Sequence, residues 1–216
     1  MSELLMNTRI YYGTSMLIIV ISILAFVCGF ERRKPKTREV VLLAVMVSLA
    51  VGGRVAFALV PNFKPVAAVV IITGIALGRE AGFMCGALAM FISNIFFGQG
   101  PWTPWQMFAM GMTGFFAAIF CGKLMDKPES KMRRVHLCVM GAVLVVVIYG
   151  LVMDSANVLM VVDKPGVDAF LASYGAGAVF NLIHGASTAT FLYILGPAIL
   201  KKIKRIKQKH GIYKSV

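Results

Sequence analysis

The sequence predicts an all-α polytopic membrane protein, six core transmembrane helices in one bundle with one extra helix ahead of them. Three observations carry this. The 216 residues are 59% hydrophobic and only 14% charged, with a mean hydropathy of +0.82. Several apolar runs approach or exceed the roughly 18 residues that span a bilayer. The basic residues gather between alternate runs, as topogenic charges do. A net charge of +13 would suggest nucleic acid in a soluble protein; here it belongs to helix ends, and no nucleic-acid partner is expected.

Seven membrane segments are predicted, at residues 11–30, 39–60, 65–78, 80–97, 104–124, 135–155 and 173–199. The first could pass for a signal peptide. It lacks a small-residue cleavage site, and Glu31-Arg32-Arg33-Lys34-Pro35-Lys36-Thr37-Arg38 follows at once, which marks a retained helix with its N-terminus outside. The second holds Arg54 about six residues from its outer end, roughly 9 Å deep. A buried ionisable group is a functional candidate, with snorkelling or carbonyl capping as the alternative. The third has fourteen residues between Pro65 and Gly78. These reach only about 21 Å, short of the roughly 30 Å hydrocarbon core. Gly78-Arg79-Glu80 is a tight turn into the fourth. Tyr149, Asp154 and Asn157 are placed at the outer end of the sixth, Asp154 solvated and Asn157 at the rim. Asn181 and His184 lie one turn apart on the seventh, expected on one face roughly 12–16 Å from its outer end. Three units are expected: an extra helix with a basic loop (1–37), a six-helix core (38–200) and a basic tail (201–216).

Charge sets the expected orientation. If the loops after segments one, three and five and the tail face the cytoplasm, they carry 18 of the 22 lysines and arginines. The groups are Arg32, Arg33, Lys34, Lys36 and Arg38; Arg79; Lys123, Lys127, Lys131, Arg133 and Arg134; and seven from Lys201 to Lys214. The N-terminus is then outside and the C-terminus inside a multi-pass cell-membrane protein.

The outer side then holds two polar stretches. Pro61-Asn62-Phe63-Lys64-Pro65 carries Asn62 and Lys64, the latter a ligand contact or a turn cap. Asn94-Ile-Phe-Phe-Gly-Gln-Gly-Pro-Trp-Thr-Pro-Trp-Gln106 contains both tryptophans of the chain. Polar amides are costly in hydrocarbon unless satisfied. Two indoles around Thr103-Pro104 are expected to form a rigid re-entrant or capping loop over a cavity. Asn94, Gln99, Trp102, Thr103, Trp105 and Gln106 would line a ligand by ring stacking and amide hydrogen bonds. An aromatic belt at the interface is the alternative for the indoles.

Chemistry is mostly excluded. The chain has no G-x-x-x-x-G-K-[ST], no H-E-x-x-H and no G-x-S-x-G, so neither ATP hydrolysis nor a familiar hydrolytic centre is expected. Catalytic residues, metal ligands and cofactors are all expected to be none. Cys28, Cys85, Cys121 and Cys138 read as small buried hydrophobes. Small residues recur every four positions at Ala44, Ser48 and Gly52, at Gly82 and Gly86, and along Ala178, Gly185 and Ala189. Such stripes let helices meet closely, within the bundle or against a partner subunit.

Gly53-Arg54, Pro61 to Ala68, the run from Gly74 to Gly86, and Ser93 to Met107 resemble the substrate-binding S components of bacterial energy-coupling factor (ECF) vitamin transporters. The resemblance covers about residues 38–200 and is greatest to cobalamin-type and related uncharacterised members. It implies high-affinity vitamin binding from outside and docking on a transmembrane scaffold (T) subunit and two cytoplasmic ATPases. It also implies that Ala44, Ser48 and Gly52 face the scaffold. The extra leading segment departs from the six-helix pattern. Two other classes stand beside it: an ion-coupled secondary transporter, disfavoured by the lack of an inverted repeat and of mid-membrane acids, and a small intramembrane enzyme using His184 and Asp154.

Overall fold

A computed structural model describes residues 2–125, 129–163 and 165–210. Lys127, Lys164 and Lys214 of the charge pattern, and Met1, lie outside them. The described residues form helices joined by short loops, without a strand. The helices are α1 (Ser2–Arg32), α2 (Thr37–Ala56), α3 (Val66–Leu77), α4 (Arg79–Phe97) and α5 (Thr103–Cys121), followed by a 3-10 turn (Gly122–Met125). Then come α6 (Lys131–Leu144), a π-helical turn (Val145–Gly150), α7 (Leu151–Val161) and α8 (Val167–His210). Among the described residues six helical stretches are long and apolar enough to cross a membrane, the fifth being α6 through α7 as one unit and the sixth α8, and α3 is a shorter apolar helix. The expected seven segments are therefore present. The loops 57–65 and 98–102, with the end of α7 and the start of α8, define one end of the bundle, called here the distal end.

The boundaries correct several expectations. α2 ends at Ala56, so Arg54 sits in its last turn, not six residues inside. The sixth span runs on to Val161, which puts Asp154 and Asn157 within the helix. α8 begins at Val167 and continues through the basic segment to His210. Asn181 and His184 are therefore about 21–26 Å along α8 from its start, by the helical rise. The long C-terminal extension packs back on the bundle: Leu200 and Ile203 are buried, and Lys207 Nζ donates to the Ala76 carbonyl at 2.8 Å, in the last turn of α3.

α3 is the axis. All twelve of its residues are buried, and it packs against α2, α4, α5 and α8. An all-round apolar sequence needs neighbours on every side. Its shortness is tolerable because other helices, not lipid, surround it. Gly78, at φ 100°, makes the turn into α4. That conformation needs a residue without a Cβ.

α3, α4 and α5 meet backbone to backbone. A Cβ on Gly82 would stand 2.7 Å from Gly74 Cα, and one on Gly114 would stand 2.7 Å from the Gly82 carbonyl carbon and 2.8 Å from Val70. In lipid, where no hydrophobic force drives helices together, such close contact supplies the cohesion. The Gly82 and Gly86 stripe is thus internal packing. The α2 stripe is different: Ala44, Ser48 and Gly52 are all exposed, and a Cβ on Gly52 would meet nothing within 4 Å.

α1 lies on α4, α5 and α7. Phe26 stacks on Phe83 with centroids 3.9 Å apart, Arg33 pairs with Glu80 at 2.8 Å, and the Tyr12 hydroxyl donates to the Pro101 carbonyl at 2.8 Å.

Gly114→Ala should cost about 1–3 kcal/mol, the usual range for overpacking. Gly52→Ala should leave stability within about 0.5 kcal/mol, as surface substitutions do. Thermal unfolding of both variants in one detergent tests the contrast.

Candidate functional site

Arg54 is the origin of the site. Its guanidinium is too short of neighbours on α2 to be satisfied there, so it reaches across to α4. Its Nη1 donates to Ser93 Oγ and, at 2.7 Å, to Asn94 Oδ1. Asn94 is 1% exposed and passes the connection to α5: its Nδ2 donates to Thr103 Oγ1 at 3.1 Å and to Gln106 Oε1 at 2.8 Å. Thr103 Oγ1 donates in turn to Gln99 Oε1 at 3.0 Å and accepts from the Gly100 amide at 3.2 Å. Gln99 closes the chain by donating to the Phe91 carbonyl at 2.9 Å. One polar relay thus ties the distal ends of α2, α4 and α5.

The stretch around this relay is not a re-entrant loop. Asn94 to Phe97 finish α4, residues 98–102 form a short connection, and Thr103 with Pro104 opens α5. Pro at a helix start replaces an amide that would have no partner, and Gly98 takes φ 96° to turn the chain. The polar side chains are needed to satisfy helix ends and the half-buried arginine.

The 57–65 loop brings the second cation. Asn62 adopts φ 54°, a left-handed conformation that asparagine tolerates. Gly53 leaves room for Pro65, whose Cγ would stand 2.6 Å from a Cβ there. Ser187 on α8 holds the loop by donating to the Lys64 carbonyl at 3.1 Å. Lys64 Nζ and Arg54 Cζ consequently lie 4.6 and 4.7 Å from the centroid of the same Phe97 ring. Burial, and then the neighbouring Arg54 charge, lower the Lys64 ammonium below the usual lysine pKa.

A cavity of about 120 Å³ opens between these groups, lined by Arg54, Asn62, Lys64, Val66, Met90, Gln106, Met110, Tyr149 and His184. Tyr149 comes from the π-helical turn, whose extra residue per turn re-aims side chains and is frequent at functional sites. Its ring meets His184 edge-on with centroids 5.0 Å apart.

Five residues expected at a site therefore converge on this cavity: Arg54, Asn62, Lys64, Gln106 and His184. Asn94 and Thr103 stand behind it as buried supports. The others are elsewhere. Trp105, 7% exposed, packs with Ile19 and Ala156, against α1 and α7. Trp102 is exposed and covers Gly100, where a Cβ would lie 2.5 Å from Trp102 Cζ2. Gln99 and Asn157 are exposed. Asn181 does not share a setting with His184: its Nδ2 donates to Asp154 Oδ2 at 2.8 Å, and a Cβ on Gly150 would press on it at 2.8 Å. Asp154, expected to be solvated, is half-buried in this seam between α7 and α8.

Tyr149, Phe97, Met90, Met110 and Val66 were not singled out as site residues. For Tyr149 and Phe97, a polar-tipped ring one span from the Asn94 stretch and an aromatic at the end of α4 were available signals. The methionines and Val66 carry none, since they resemble any core residue. Among the described residues no group of three or more His, Cys, Asp or Glu is placed to hold a metal.

Trp105→Ala should destabilise the protein by about 3 kcal/mol, as large-to-small core changes do. Trp102→Ala should cost under about 1 kcal/mol. Comparing their unfolding midpoints with wild type tests whether the first indole is structural and the second peripheral.

The family model described as ECF-type riboflavin transporter, S component, matches residues 34–202, from the α1–α2 connection into the extension of α8. Comparison with curated proteins and with solved structures gives no match.

Proposed function

The chain belongs to the ECF-type riboflavin transporter S-component family, and from that membership we propose that the distal cavity is its vitamin site and opens to the cell exterior. An S component is a membrane transport subunit without ATPase activity of its own. The observation that carries the proposal is the convergence of Arg54, Asn62, Lys64, Gln106, Tyr149 and His184 from α2, the 57–65 loop, α5, the π turn and α8 around one cavity. Ligand sites of this kind are concave, mostly apolar and furnished with a few placed polar groups. Asn94 and Thr103 support the wall from behind, and Trp102 and Trp105 lie outside the cavity.

Orientation follows from the charge pattern. The basic groups at 32–38, at Arg79, at Lys123 and 131–134, and at 201–209 lie opposite the distal end, so in this proposal the cavity mouth faces outward and the C-terminus is cytoplasmic. The unit boundaries 1–37, 38–200 and 201–216 are retained as a proposal, with the matched range supporting the first of them.

The ligand class is a ring-containing vitamin. The family match favours riboflavin over the cobalamin expected from sequence, and cavity size points the same way. A pocket for a small organic ligand is usually about 300–1,000 Å³, so a cavity of about 120 Å³ has to widen for either compound, and far less for a tricyclic ring than for a corrinoid. Opening falls to the 57–65 loop, whose tip residue Leu59 is 97% exposed.

Energy coupling requires partners. Ala44, Ser48 and Gly52 make a smooth exposed strip on α2, flanked by the exposed Val41, Val45 and Leu49. Small residues on a lipid-facing helix suit close contact with another helix, here the T subunit, which two ATPases would drive.

Purified protein should bind riboflavin without other subunits, and mass spectrometry should find a vitamin in the protein as isolated. Uptake into proteoliposomes should require the T subunit and ATPases. Gly52→Leu should abolish that uptake with binding changed by less than about twofold, because its side chain would meet only the partner. Robust uptake by this chain alone under a proton or sodium gradient would contradict the proposal.

A further inference from the structure

The hydrogen positions on the cavity wall follow from one fixed donor. Arg54 can only donate. Its Nη1 contact at 2.7 Å therefore identifies the Asn94 oxygen, and Asn94 must use its amide nitrogen toward Gln106. That contact, at 2.8 Å, occupies Gln106 Oε1 and leaves the Gln106 Nε2 hydrogens to the cavity side, since they donate to no group among the described residues. The relay orients both amides in one sense, so that the wall it builds presents donors.

Charge reinforces this. No carboxylate lines the cavity. The ion pairs among the described residues join Arg33 and Arg79 to Glu80 and Arg134 to Glu129, and neither Arg54 nor Lys64 takes part in one. Both cations rest on the face of Phe97, which attracts them without neutralising them. Two positive groups facing one small space at the end of an apolar bundle repel each other. A neutral ligand entering there would strip water from both and offer only uncharged acceptors, leaving the two positive charges uncompensated. An anion would return charge-assisted bonds to both.

We infer that the cavity seats an anionic group of the ligand, a carboxylate or a phosphate, between Arg54 and Lys64, with Gln106 Nε2 donating beside them. The inference rests on the reading of this cavity as the vitamin site, and it adds that ring shape alone does not define the substrate. Arg54 is held in place by Ser93 and Asn94. Lys64, whose ammonium makes no side-chain hydrogen bond to the bundle, is free to close on the anion.

The test uses the full-length protein in detergent and three flavins sharing one ring: riboflavin, with a neutral tail; flavin mononucleotide, with a phosphate; and 10-carboxymethylflavin, with a carboxylate. Affinities are measured at low and high salt for wild type, Lys64→Gln and Arg54→Lys, and native mass spectrometry identifies any small molecule that co-purifies. At least one anionic flavin should bind about tenfold or more tightly than riboflavin, the scale of one good charge-assisted contact. Salt should shrink that advantage. Lys64→Gln should remove it, lowering the affinity for the anionic flavin by about tenfold more than the affinity for riboflavin. Arg54→Lys preserves the charge and should retain part of the preference even if the relay is disturbed. Equal or tighter binding of riboflavin by wild type, with Lys64→Gln indifferent, overturns the inference. If no flavin binds, the co-purified molecule decides: a vitamin with a carboxylate or phosphate upholds the anion seat and refutes only the flavin reading. A neutral molecule, a phospholipid, or no co-purified molecule at all overturns the inference.

Discussion

A guanidinium at the end of an apolar helix must find acceptors, and the distal architecture is organised around that requirement. α2 offers Arg54 no acceptor of its own, so Ser93 and Asn94 on α4 supply them. Asn94, buried to 1% exposure, cannot leave its own amide unpaired, so Thr103 and Gln106 on α5 follow. Each step is forced by the cost of an unsatisfied polar group in a water-poor interior. The result is a relay that fixes three helix ends and sets the polarity of the cavity they share.

Below this relay the bundle is held differently. Gly74, Gly82 and Gly114 allow α3, α4 and α5 to touch through their backbones. That contact is dry, short-range and intolerant of added volume. The site sits above it, where the loops begin and polar side chains join the helices. The tight lower seam keeps the spacing of α3, α4 and α5 on which the distal relay is built.

α1 lies outside the matched range but is built into the molecule. It packs on α4, α5 and α7 through Ile19, Phe26 and Arg33, and Trp105 fills the gap between it and α7. Because it occupies that side, it leaves the small-residue strip of α2 uncovered. An additional helix in this position does not obstruct the surface through which the proposed scaffold would be met.

Composition, apolar run length and the placement of basic residues were sufficient to read an all-α membrane bundle of seven segments, the short third one included. The reason is that spanning a bilayer imposes length and hydropathy on each segment independently of its neighbours. Arg54, Asn62, Lys64, Gln106 and His184 were also legible, as polar groups out of place in apolar surroundings. Where such groups point was not legible. The indoles of Trp102 and Trp105, the divergence of Asn181 from His184, and the burial of Asp154 depend on which helix lies opposite, and helix periodicity does not reveal that. Tyr149 reaches the cavity only because a π-helical turn shifts its register, a backbone event that no local residue pattern announces. Sequence alone therefore determined that the chain crosses the membrane and carries stranded polar groups. Only the tertiary structure decided which of them meet, because a buried donor chooses its acceptor across helices and not along them.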